Sequence, residues 1–206
     1  MTYFLHLIFG FGIGFLGVIP PGLLNLTAAK ISVKSGMRAA TMFAIGASTV
    51  VVAQVYIGVF FSRLLSLNPD MLLLVERFAI IIFFGLSIFF FIRARLDSKP
   101  EFKTLHKSDY RLFGQGIILS ALNIFPIPFY IGFSSFLASR NAFTFEFPMA
   151  HLFIIGATLG TFLMLCAYIK YVKRCKFDSD TFARKIHYIL SALTFAIAVF
   201  TLIRIN

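Results

Sequence analysis

Acidic residues are scarce in this chain: its 206 residues hold 8 Asp and Glu against 19 Lys and Arg. No carboxylate dyad for acid–base chemistry can be read. The lack of buried acids also disfavours divalent cations, hard ions that want oxygen anions. Cysteine is almost missing. Cys166 and Cys175 have neither a CxxC nor a metal-ligand spacing, so Cys166 reads as a small apolar packing residue and Cys175 as a cytoplasmic thiol. The histidines His6, His106, His151 and His187 are scattered and form no metal set, and His151 reads as an interface residue. No nucleophile–base pair and no phosphate-cradling loop appear. These gaps point away from an enzyme, a bound metal and a cofactor.

Apolar residues are what the chain has in abundance. It is 59% hydrophobic and only 13% charged, with a mean hydropathy of +0.91, whereas soluble domains are nearer a quarter charged. Six apolar segments can be read: Tyr3–Ala29, Ala39–Phe61, Met71–Ile92, Leu112–Ala138, Phe147–Ile169 and Ile186–Ile203. Each is long enough to cross a bilayer as a helix. The expected fold is an all-α integral membrane protein of six transmembrane helices, a single membrane domain over residues 1–206 with no soluble domain left over. The first segment has no Lys or Arg ahead of it and no small-x-small site behind it, so it reads as a retained helix. The 28 phenylalanines read as lipid-facing and core bulk.

The net charge of +11 suggests nucleic acid until the charges are placed. Fifteen of the 19 basic residues fall in three alternate loops: Lys30, Lys34 and Arg38; Arg93 to Arg111; and Lys170 to Lys185. The positive-inside bias puts these loops in the cytoplasm, including the one at about 93–111, and both termini outside. Anionic lipid headgroups then account for the charge with no nucleic acid partner. Glu76 and Arg77 sit near the outer end of the third segment and read as interfacial, with Arg77 snorkelling.

Short matches recur in order in the two halves. Gly10-Phe11-Gly12-Ile13 pairs with Gly114-Gln115-Gly116-Ile117. Phe43-Ala44-Ile45-Gly46-Ala47-Ser48 pairs with Phe153-Ile154-Ile155-Gly156-Ala157-Thr158, and Phe89–Arg93 with Phe200–Arg204. A three-helix unit crosses an odd number of times, so its second copy must lie upside down. The expectation is two inverted three-helix repeats, A at about 1–97 and B at about 112–206.

Helices 1 and 4 are expected to be broken by prolines, at Pro20-Pro21-Gly22 and at Asn123-Ile124-Phe125-Pro126-Ile127-Pro128. Freed backbone groups in lipid require protein or a polar cavity around them, and paired broken helices point to a transport site. A half-helix restarting after Pro21 would offer its N-terminus to a substrate carboxylate. Carbonyls left free before Pro20 and Pro21 would suit an ammonium or a cation. A simple kink is the bland alternative at each break. The candidate substrate-binding residues are Pro20, Pro21, Gly22, Asn25, Asn123, Pro126 and Pro128, with Ser48, Gln54 and Thr158 as cavity-lining candidates. Asn25 and Asn123 can equally serve as cross-helix glue. Gly10, Gly14, Gly46, Gly156 and Gly160 read as close helix-packing positions.

At these breaks the sequence resembles the lysine-exporter (LysE/RhtB) superfamily of bacterial amino-acid efflux proteins. The length, the six spans, Pro20-Pro21-Gly22, the basic stretch Lys30–Ala40 and the Asn-x-x-Pro of Asn123 to Pro126 carry the likeness. The chain departs from the family pattern at Leu23, where a further proline is usual, and at Gly46-Ala47-Ser48-Thr49, where an aspartate commonly follows the glycine. The resemblance implies a plasma-membrane secondary transporter exporting amino acids or related zwitterions by alternating access. It implies a lipid bilayer and a small-molecule substrate as partners, and is compatible with a homo-oligomer. The other readings are a metal-cation or small-ion exporter of the same architecture, a membrane thiol-redox protein and a lipid-modifying enzyme.

Overall fold

The computed structural model describes residues 2–20, 22–68, 80–81, 83–85, 87–92, 94–95, 108–171, 188–189, 191–192, 194–196, 198–200 and 202–203. Pro21, Glu76, Arg77, His106, Cys175 and His187 lie outside the described residues, as do 96–107 and 172–187 of the basic loops. Every regular element among the described residues is helical. The elements with defined bounds are α1 (Thr2–Gly17), α2 (Leu23–Ser35), α3 (Met37–Leu67), α4 (Asp109–Leu122), α5 (Pro126–Ser139) and α6 (Met149–Tyr171). The chain divides into two compact units: Met1–Leu64 with Lys103–Lys176, and Leu65–Phe102 with Phe177–Asn206.

In the first unit α3 and α6 are long and apolar enough to cross a membrane, and α4 with α5 makes a third such element bent by 62°. This is a multi-pass membrane architecture. Two boundaries differ from the hydropathy reading. The helix α3 runs on to Leu67, past Phe61 where the apolar segment ends. Hydropathy marks the thickness of oil, while the hydrogen-bond ladder continues into water. Similarly, Lys30 and Lys34 are not in a loop but on the last turns of α2, where cations suit the negative helix end. Only Gly36 separates α2 from α3, at φ +91, a conformation that glycine alone adopts without strain.

Small residues set the helix contacts. A Cβ on Gly10 or Gly14 of α1 would overlap the backbone of Phe153 or Ala157 on α6, and one on Gly156 or Gly160 would overlap the α1 backbone around Leu7, Phe11 and Phe15. A Cβ on Gly46 of α3 would meet Phe113 of α4, and one on Gly116 would meet Phe43 and Ala47. Gly10 and Gly14 meet Phe153 and Ala157 in that order, and Gly46 meets Phe113 while Gln54 meets Ser120, so α1 runs parallel to α6 and α4 parallel to α3. Backbones this close exchange dispersion and Cα–H···O contacts along their length.

Phe43 and Phe153, matched in the two sequence tracts, lie against Gly116 and Gly10 respectively.

The first unit is buried around two apolar clusters. One gathers Ile31, Phe43, Leu112, Leu165 and Ile169, the other Val55, Tyr130, Phe143 and Phe153. Ser32 Oγ donates to the Ile169 carbonyl at 2.9 Å. Buried His6 accepts the Thr144 N–H through Nε2 at 3.1 Å, fastening the segment between α5 and α6 to α1. Arg38 and Asp109 pair at 3.2 Å on the surface.

In the second unit Ser87 Oγ donates to the Ser191 carbonyl at 3.0 Å and Ser191 Oγ to the Ser87 carbonyl at 2.9 Å. Phe84 meets Phe195 at 5.7 Å between ring centres, and Phe91 meets Tyr188 at 6.1 Å. One number falls as the other rises, so the two segments pack antiparallel.

Candidate functional site

Two interruptions of helix lie in the first unit. At the first, α1 ends at Gly17 with its last turn tightened by Val18 N–H to Phe15 O and Ile19 N–H to Leu16 O, at 3.4 and 3.1 Å. The chain resumes helix at Leu23 behind Gly22, an extended N-cap with no side-chain cap. The first bond of α2 runs from Leu26 N–H to Gly22 O at 3.0 Å. The N–H groups of Leu23, Leu24 and Asn25 therefore have no partner within the helix. Pro20 is exposed ahead of that turn.

The carbonyls of this break are engaged. Asn25 is 3% exposed and its Nδ2 donates to Val18 O at 2.7 Å and to Pro20 O at 3.1 Å. Tyr168 of α6 donates its hydroxyl to Ile19 O at 2.6 Å. Thr161 of α6 donates to Gly14 O at 3.3 Å. The carbonyls before Pro20 and Pro21, expected to stand open for an ammonium or a cation, thus carry protein donors. In a low-dielectric interior a freed acceptor gains most from the nearest fixed donor.

At the second interruption α4 ends at Leu122, and Asn123 closes its last turn by donating its N–H to Ser120 O at 3.1 Å. The helix restarts with Pro126 in its first turn. Pro126 and Pro128 both lie inside α5 and remove two of the N–H groups a helix start normally presents. Gln54 of α3, 5% exposed, reaches across and donates Nε2 to Ser120 O at 2.9 Å and to Asn123 O at 2.7 Å. The Oε1 of Gln54 and the hydroxyl of Ser120, itself 1% exposed, are buried without hydrogen-bond partners. So are Ser48 Oγ and Gln115 Oε1.

The breaks meet. The ring of Phe129, in the first turn of α5, lies over Gly17 so closely that a Cβ there would come within 2.8 Å of it. Around the first break lie Gly17, Pro20, Gly22 and Asn25, and around the second Gln54, Ser120, Asn123, Pro126 and Pro128, with the Gly17–Phe129 contact between them. Thr158 turns its hydroxyl back onto Ile154 O at 2.9 Å within its own helix, and Ser48 is buried on α3. Sequence reasoning missed the donors Thr161 and Tyr168, and missed that Gln54 donates to Ser120 O and Asn123 O. All three lie far along the chain from the carbonyls they serve, so no local pattern could announce them.

The described residues form an all-helical architecture with apolar helices long enough to cross a membrane, the setting in which a membrane translocator works. The LysE type translocator family matches residues 15–204, and the chain belongs to it. No curated protein and no solved structure gives a significant match.

Proposed function

We propose that this protein exports amino acids or closely related small zwitterions across the bacterial plasma membrane by alternating access, with both termini outside. Its six spans form two inverted three-helix repeats, and spans one and four are broken at Pro20-Pro21-Gly22 and before Pro126. Membership of the translocator family supports export. The reciprocal glycine contacts and the antiparallel Ser87–Ser191 crossing support the repeats. Helices that exchange equivalent partners across a pseudo-two-fold can rock about it.

The observation that carries the reading is the contact between the two breaks, Gly17 against Phe129, beside the uncapped start of α2. There the partial positive charge of a helix N-terminus and its open N–H groups suit a carboxylate. The test is efflux of labelled amino acids from vesicles loaded with them. Export that depends on the protein and falls at least ten-fold in a Pro20→Ala, Pro126→Ala double variant is the expected result. Unaltered efflux in that variant overturns the reading.

A further inference from the structure

The two interruptions have opposite hydrogen-bonding character, and this points to how a solute is oriented. At the first, α2 presents N–H donors and its carbonyls are taken. At the second, prolines delete donors from α5, while two buried acceptor atoms, Gln54 Oε1 and Ser120 Oγ, have no partner. The orientation of the Gln54 amide is fixed, because its Nε2 lies against two carbonyl oxygens and a flip would set oxygen against oxygen. Gln54 Oε1 must therefore face away from the helix end it clamps. Leaving an amide oxygen and a hydroxyl unpaired in the interior costs free energy that a native structure normally recovers from a partner.

Resting on the reading above, we infer that Gln54 Oε1 and Ser120 Oγ are the acceptors for the ammonium group of the solute. An ammonium carries three donors and no acceptor, which matches a pair of unpartnered oxygens. A 2-oxo acid, with a carbonyl oxygen in place of the amine, would set acceptor against acceptor there and be rejected.

The test uses the full chain in proteoliposomes. Counterflow is measured with the L-amino acid, among the twenty, that the native protein exchanges fastest, and with the matching 2-oxo acid as competitor. Ser120→Ala removes a hydroxyl that bonds to nothing in the protein, so its melting temperature without solute should not fall below the native one. Its half-saturation for the amino acid should rise ten-fold or more, the order expected for a lost hydrogen bond to a charged group. Its inhibition by the 2-oxo acid should stay within two-fold. Native exchange with unchanged Ser120→Ala half-saturation means that only water fills the gap, and overturns the inference alone. An equal rise for both solutes also overturns it. Failure of the native protein to exchange any of the twenty removes the export reading and this one together.

Discussion

The two interruptions begin alike, with a helix ending in a tight turn, and finish differently. At residues 18–22 the proline that is described stands before the N-cap, so α2 begins with its donors intact. At 123–125 the prolines fall after the restart, so α5 begins with donors deleted. Their carbonyls are also served from different places. The first break draws on Asn25 of its own second half-helix and on Thr161 and Tyr168 of α6, and the second draws its side-chain donor from Gln54 of α3, with the Asn123 N–H also on Ser120 O. Proline content alone therefore says where a ladder is cut, while proline position relative to the restart says which polarity the cut exposes.

The largest expected difference lies in how each break tolerates the loss of its clamp. Gln54→Leu strips the amide donor from Asn123 O, in a partly buried bond, and from Ser120 O, which keeps the Asn123 N–H. A carbonyl left dry costs about 1–3 kcal/mol, so the variant should lose roughly 1–3 kcal/mol of stability against denaturant in detergent. A loss under about 1 kcal/mol would show that water reaches the end of α4, and the two breaks would then be more alike than the structure makes them.

Asn25→Leu is the matching change at the first break. It also removes two bonds, to Val18 O and Pro20 O. Pro20 is exposed and Val18 half-buried, so part of the lost bonding is regained from solvent. The expected cost is about 1–2 kcal/mol in the same denaturant series. A cost equal to that of Gln54→Leu would place the first break in as dry a setting as the second.

Much of this frame was legible in residues alone. Bases clustered between alternate apolar runs, and the length of those runs, gave the membrane character, and the stretch from Pro20 to Pro126 carried the family likeness that the match over 15–204 makes plain. Which helices meet was not legible: nothing in the short matches says that Gly10 lies against Phe153 or Gly116 against Phe43, because those approaches are set by packing between distant segments. The clamps were hidden for a related reason. Nothing around Gln54 or Tyr168 marks them as donors, since the carbonyls they meet are defined by packing between distant segments.

Tyr168→Phe makes the smallest change and asks the sharpest question. It removes one hydroxyl from Ile19 O, at the outermost turn of the first break, in an exposed bond. An exposed carbonyl in a membrane protein faces either water or acyl chains, and the two differ greatly in what they return to an abandoned acceptor. If the first break opens to a wet chamber, water replaces the phenol and denaturant stability should fall by less than about 1 kcal/mol. If Ile19 O faced lipid, the same deletion would cost several times more, because hydrocarbon offers no donor. A small loss therefore supports a solvated path to the start of α2, and a large one would remove the aqueous route that export requires.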